Sequence, residues 1–270
     1  MSETPDASSQ PVSADPVLFE MIGAHIALVT LNRPEKRNAI NAAIANALEA
    51  IVRRTESDPD VRVVILTASD NRVFCAGADL GEVAAGRGAA INTPAGWFAG
   101  FVYAARTKPW IAAVEGMALA GGCEICLACE MIVAGENASF GVPEVKRGLL
   151  AGAGGLHRII NVLPRNIANE MVATGEPIPA TTAERFGMIN RLVPAGEALA
   201  AARGLAEVIA ANAPLSVQLS LAAMKASAGQ PDGAGRAVVD ERFAILRKSH
   251  DFEEGPRAFV EKRAPVWTGR

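Results

Sequence analysis

Two glutamates and two glycine-bearing turns are the residues of this chain whose types and spacing could do chemistry. Glu124 stands three residues after Gly121, where a helix is expected to open, and Glu144 follows Pro143 in the run Ser-Phe-Gly-Val-Pro-Glu-Val-Lys-Arg-Gly at 139–148. A pair of carboxylates can divide general acid and general base work when their surroundings set their protonation apart. Ala76-Gly77-Ala78-Asp79 and Ala120-Gly121-Gly122 each follow an expected strand and lead toward a helix. Main-chain N–H groups at such turns can point at an anion, and the helix dipole adds to them. If Ala78 and Gly121 each aimed one N–H at a shared point, the result would be an oxyanion hole for a carbonyl oxygen that gains negative charge. Each piece alone also has a plainer account. Glycines serve tight turns, Glu124 is a first-turn acid favoured by the dipole, and Glu144 is a loop acid.

Other chemistries find little support. His25, His157 and His250 are far apart and in no ligand pattern, and neither G-x-S-x-G nor G-x-x-x-x-G-K-[ST] occurs. Residues 152–157 begin like a dinucleotide fingerprint, but His157 replaces the last glycine and no strand precedes them. Cys123, Cys126 and Cys129 have the C-x-x-C-x-x-C spacing of an iron–sulfur run. They lie in an apolar stretch with no following Cys-Pro, so small buried residues on a helix are expected and no metal site is.

The elements that must position the two acids are those of an α/β protein. Of 270 residues, half are hydrophobic and a fifth charged, with a net charge of -3. That balance suits a globular chain with an ample core and argues against nucleic acid as a partner. No apolar run reaches about 18 residues, so no membrane span is expected. Residues 1–15 are polar, acidic and Pro/Ser-rich, without the features of a signal or transit peptide. A disordered tail and a cytoplasmic location are the default expectations. Strands are expected at 17–20, 26–31, 61–66, 73–75, 110–115, 131–134, 138–140 and 189–193. Helices are expected from Asn41, over Cys123–Cys129, and over 197–211, 214–228, 238–247 and 252–263. Residues 84–100 read as loop with loose helix, and 101–106 as a further helical piece. Strands alternating with helices, then a run of helices, give an α/β body with a helical C-terminal part.

Taken together the strings are specific. Phe-Cys-Ala-Gly-Ala-Asp-Leu at 74–80, Gly-Met-Ala-Leu-Ala-Gly-Gly-Cys-Glu at 116–124, the 139–148 run and Ala-Gly-Ala-Gly-Gly at 151–155 occur in that order with short gaps. With Leu-Asn-Arg-Pro-Glu-Lys-Arg-Asn-Ala at 31–39 and the ending Glu-Gly-Pro-Arg-Ala-Phe-Val-Glu-Lys-Arg at 254–263, they closely resemble the crotonase superfamily, and within it the enoyl-CoA hydratases. The resemblance implies a spiral core of repeated ββα units over 16–195 and a helical trimerisation region over 196–270, giving a homotrimer or a dimer of trimers. It implies an acyl-CoA thioester substrate, with coenzyme A as part of that substrate and no separate cofactor.

By the same resemblance, Glu124 activates water for attack at C3, Glu144 transfers a proton at C2, and Ala78 and Gly121 supply the oxyanion hole. Arg37, Ala39, Ala76, Asp79 and Leu80 are expected near coenzyme A, and Phe259 and Lys262 near its nucleotide end. A Cβ added to Gly121 is expected to crowd the thioester oxygen. Two glutamates favour a hydratase over an isomerase, which can manage with one acid/base. The segment Ala-Asn-Glu-Met-Val-Ala-Thr-Gly at 168–175 and the ending Pro-Val-Trp-Thr-Gly-Arg also resemble carnitinyl-CoA dehydratases. Some chains of this fold bind RNA or act as scaffolds. The acidic balance and the two retained glutamates speak against both. Ala151 replaces a proline that many hydratases carry, and 84–100, which borders the acyl pocket in the family, does not align clearly.

Overall fold

The computed structural model describes residues 15–270, so the expected tail, except for Asp15, lies outside the described residues. The chain order is β1 (Val17–Gly23), β2 (Ile26–Leu31), α1 (Ala42–Ser57), β3 (Val63–Ala68), β4 (Val73–Cys75), α2 (Leu80–Ala84), β5 (Asn92–Thr93), β6 (Trp97–Phe98), β7 (Trp110–Val114), β8 (Met117–Leu119) and α3 (Gly121–Ala128). It continues through β9 (Met131–Gly135), β10 (Ser139–Gly141), α4 (Gly155–Val162), α5 (Arg165–Thr174), β11 (Ile178–Pro179), α6 (Ala180–Arg185) and β12 (Arg191–Val193). Helices α7 (Ala198–Ala210), α8 (Pro214–Ser227), α9 (Asp232–Leu246) and α10 (His250–Glu261) end it. Helix α1 opens where its sequence permits: the Asn41 side chain accepts from the Ile44 N–H at 3.0 Å, a cap worth about 1 kcal/mol.

A six-stranded sheet runs β1-β2-β3-β7-β9-β12, parallel throughout except for the β1–β2 hairpin. Parallel strands buried on both faces should read as continuous apolar runs, and β3 and β7 do. Val64, Leu66, Ala112 and Val114 face the main core, while Val63, Ile65, Ile111 and Ala113 face the other way. That second face is covered by α7, whose Ala198, Ala202, Ala206 and Ala210 recur every fourth residue and let the helix lie close to the sheet.

A smaller sheet, β11-β10-β8-β4, positions the site. Strands β4, β8 and β10 are parallel, β4 at the edge, with Cys75 opposite Ala118, and Phe140 and Gly141 opposite Ala118 and Leu119. Three chain segments therefore leave the same end of one sheet side by side. In open α/β sheets that end is where ligands bind.

Three expectations are corrected. Residues 101–106 form a turn rather than a helix. Trp97, Ala99 and Gly100 precede it at φ 57°, 58° and 66°, and Arg106 donates to the Phe101 carbonyl, which a helix would have used, at 2.6 Å. Residues 92–98 close into the small β5–β6 hairpin instead of an open loop. Helix α9 begins at Asp232, earlier than its apolar pattern suggests, because Gly233 and Gly235 dilute the signal. Among the described residues no single helix is long and apolar enough to cross a membrane.

Candidate active site

The turn after β4 is held by a parallel bridge between Ile40 and Ala78. The Ile40 N–H donates to the Gly77 carbonyl at 2.8 Å, and its carbonyl accepts from the Asp79 N–H at 2.9 Å. In such a bridge the groups flanking Ala78 face Ile40, so the N–H of Ala78 itself points the opposite way. The turn after β8 places Gly121 first in α3, where an N–H has no intrahelical partner. The two turns touch. A Cβ on Gly77 would sit 2.7 Å from the Ala120 Cβ and 2.9 Å from the Gly121 N, and Gly77 has φ +90°. Only glycine fits at 77, on both counts.

Ala120 has φ 52° and ψ -129°, a conformation an L-alanine rarely adopts. Its N–H donates to the Gly141 carbonyl at 2.8 Å, so pairing with the strand beside it holds the strained residue in place. Such strain costs about 1–3 kcal/mol and persists where the surroundings over-determine it.

Glu124 lies in the first turn of α3 and is 3% exposed. Its Oε1 accepts from the Gly155 N–H at 2.8 Å. A Cβ on Gly155 would lie 2.9 Å from that oxygen, so the glycine is what admits the carboxylate. Burial pushes the Glu124 carboxyl up to about 7; the Gly155 N–H opposes the rise and Glu144 adds to it. Glu144 sits in the short 3₁₀ turn Pro143–Arg147 that leaves β10. Burial raises its pKa as well, against a lowering influence of Arg147. Its Oε2 is buried and makes no hydrogen bond with the described residues.

Ala78, Gly121, Glu124 and Glu144 line one cavity of about 450 Å³. Arg37, Ala76 and Leu80 line it too, whereas Ala39 and Asp79 do not. The Asp79 carboxylate is engaged elsewhere: it caps Gly81 at 3.0 Å and pairs with Arg33 at 2.7 Å, which holds it below the usual carboxylate range. Phe259 and Lys262 are exposed at the end of α10 and are not brought to this cavity within the single chain. The sequence reading missed Phe98, Ile91, Trp97, Leu149 and Leu150, which give the cavity apolar walls. It also missed Arg158. The hairpin glycines at 96 and 100 were the available signal for the first group.

Cys123 and Cys126 are buried free thiols on α3, as expected from their apolar setting, whereas Cys129 caps the helix and is only half-buried. Burial raises the Cys123 and Cys126 thiols well above their ordinary range. Among the described residues no cluster of His, Cys, Asp or Glu is placed to hold a metal.

This fold, an α/β core followed by a run of helices, is that of the crotonase superfamily. The family model for enoyl-CoA hydratase/isomerase matches residues 21–270, and the chain belongs to that family. It is 40% identical over 247 residues to the mevalonyl-coenzyme A hydratase of Aspergillus fumigatus, covering 90% of this chain and 91% of that one. It is equally 40% identical over 247 residues to a carnitinyl-CoA dehydratase of Salmonella typhi, covering 90% and 94%. The crystal structure of an enoyl-CoA hydratase from Mycobacterium tuberculosis superposes with a TM-score of 0.90 at 41% identity, covering 95% of this chain and all of that one.

Proposed function

We propose that the chain is a 2-enoyl-CoA hydratase that adds water reversibly across the C2–C3 double bond of an acyl-CoA thioester. One observation carries the reading: two carboxylates, both raised by burial, line one cavity with the turn residues Ala78 and Gly121. Conjugate addition of water needs a base at the attacking water, an acid at the α-carbon and stabilisation of the enolate oxygen. Ionised Glu124, held in place by the Gly155 N–H, accepts a proton from the water as its oxygen attacks C3. The thioester oxygen gains charge between the N–H groups of Ala78 and Gly121. Protonated Glu144 delivers its proton to C2 and is left ionised, a division of protonation that bound substrate must impose, because in the empty site burial acts more strongly on Glu124. Coenzyme A enters as part of the substrate, past Arg37, Ala76 and Leu80, and the acyl chain meets the walls at Ile91 and Phe98.

Crotonyl-CoA tests the reading directly. Loss of the enoyl-thioester absorbance with enzyme, reversed from the 3-hydroxyacyl side, is the expected result. No change with any enoyl-CoA in a panel of rising chain length would refute it. Dehydration of a carnitinyl thioester is the second reading, favoured by Trp97, an exposed aromatic on the cavity wall that suits a quaternary ammonium. A carnitinyl-CoA arm in the same panel decides between them.

A further inference from the structure

Arg158, on α4, carries a half-buried guanidinium that makes no salt bridge with any described carboxylate. Its Nη2 donates to the Val102 carbonyl at 2.8 Å and its Nη1 to the Ala153 carbonyl at 3.2 Å. The guanidinium carbon lies 5.2 Å from the centroid of the Tyr103 ring. Gly154, at φ +95°, lies directly under it, and a Cβ there would collide with Nη1. A cation withdrawn from water without an ionic partner is costly to the fold, so its placement calls for a reason.

One of the two carbonyls it joins belongs to Ala153, which lines the cavity, and the other to Val102, which lies outside that lining. Ala153 is in the glycine loop that ends at Gly155, whose N–H holds Glu124, and the Ala153 N–H bears on the same carboxylate. Val102 is in the segment that follows Phe98, the apolar wall. The planar fork of arginine can span two acceptors at fixed geometry, where an ammonium acts as a point charge. We propose that Arg158 is a positioning residue for Glu124: its guanidinium clamps the 153–155 loop to the 98–103 segment and so fixes the N–H donors that orient the carboxylate. The proposal rests on the hydratase reading only in giving Glu124 a catalytic role.

The charged groups facing Glu124 are Glu144, from the turn after β10, and Arg158 itself; Cys123 beside it is a neutral buried thiol. Among the described residues Arg158 is the positive group acting on that carboxylate, and it adds to the stronger opposition of the Gly155 and Ala153 N–H groups against the rise that burial and Glu144 cause. Its removal should move the Glu124 titration midpoint upward.

The experiment compares wild type, Arg158→Gln, Arg158→Lys and Glu124→Gln by two readouts. Carboxyl-carbon NMR, with the Glu124 signal assigned by its absence in Glu124→Gln, should show the midpoint raised in Arg158→Gln and raised less in Arg158→Lys, where the charge remains but the fork is lost. Kinetics with crotonyl-CoA should show kcat lowered about tenfold or more in Arg158→Gln with KM within about threefold, the pattern of a misplaced catalytic group. Arg158→Lys should recover only part of kcat, because it keeps the charge without the fork. An unmoved midpoint in folded Arg158→Gln would overturn the proposal whether or not crotonyl-CoA is a substrate. Should Arg158→Gln fail to fold, a folded Arg158→Lys with wild-type kcat overturns it instead. Loss of all activity in wild type, with the NMR shift present, would count against the hydratase reading and not against the clamp.

Discussion

Replacing Gly121 by alanine separates a main-chain oxyanion hole from a mere tight turn, and the structure changes the reason for making the substitution. The sequence suggests that a Cβ there would crowd the thioester oxygen. The geometry instead directs it into the Phe98 ring, far inside the 3.4 Å of ordinary contact. Neither side can yield cheaply. Phe98 is buried between Trp97 and Ala99, both left-handed, and a Cβ on the nearby Gly100 would meet the Ala45 carbonyl of α1. On the other side a Cβ on Gly122 would meet the Cys75 carbonyl, and Gly77 abuts Ala120. Overpacking of this kind costs about 1–3 kcal/mol of stability. If the strain is relieved by moving the Gly121 N–H, one donor to the oxyanion is lost, worth about 100- to 1,000-fold in kcat. Gly121→Ala should therefore hydrate crotonyl-CoA about 100-fold more slowly. Phe98→Ala in the same chain should restore a large part of that loss, giving a coupling of about 1–3 kcal/mol in a double-mutant cycle. Hydration rates and thermal melts on the four proteins supply the data. Near-wild-type turnover in Gly121→Ala, or additive losses in the double variant, would show that the Gly121 N–H does not bind the developing charge.

Glu124→Gln and Glu144→Gln should each lower kcat at least about 100-fold while thioester binding, measured by competition with a saturated acyl-CoA, persists. Because Glu124 must be ionised to accept a proton and is pushed up to about 7 by burial in the unliganded chain, the wild-type rate should fall on the acid side below about pH 7, as a pH profile of kcat/KM will show. The same burial acts on stability. Between the unfolded value near 4.5 and about 7 the folded state binds more protons, so stability falls as pH rises through that window. Glu124→Gln should then be more stable than wild type at pH 8, by at most roughly 3–4 kcal/mol, with the gain vanishing near pH 4.5 in urea titrations. Phe259, Val260, Met224 and Val266 are between 68% and 85% exposed on the C-terminal helices and tail, an apolar surface that a trimer or hexamer would cover. Light scattering should give three or six times the 28.1 kDa of the chain, and a monomer at micromolar concentration would refute the assembly.

Much of this arrangement is legible in the residues because its constraints are local. The apolar run of β2 and the β-branched run that opens β3 announce buried strands, and Asn41 announces the start of α1. Gly77 marks a turn that no larger residue can occupy, and Gly121 one where a larger residue meets the Phe98 ring. What escaped the sequence depends on contacts between distant segments. Phe98 gains its role only by packing on Gly121, twenty-three positions away, and Arg158 by reaching Val102. Ala120 gives no sign of its backbone strain, because alanine is not the residue that signals a positive φ. The short helices between Gly155 and Arg185 were not resolved by periodicity, since each spans three turns at most and buries little of its length.

The site is built largely from backbone, and the topology of the smaller sheet explains why. Strands β4, β8 and β10 deliver the Ala78 turn, the Gly121 turn and the Glu144 turn from neighbouring ends, so the spacing of the proposed hole and of one proposed acid is set by strand pairing before any side chain is chosen. Glu124 alone comes from a helix, and it is fixed by a glycine loop that must itself be held. This makes the two acids unequal. Glu144 moves with the sheet, whereas the orientation of Glu124 depends on contacts between α3, the 151–155 loop and α4. The acyl walls at Ile91, Trp97, Leu149 and Leu150, by contrast, are side chains on peripheral segments. They can change volume and polarity without shifting the strands that place the hole. Such a division lets the acyl preference vary while the reacting atoms stay in register, and it places the structural fragility of the active site in the loop beneath Glu124.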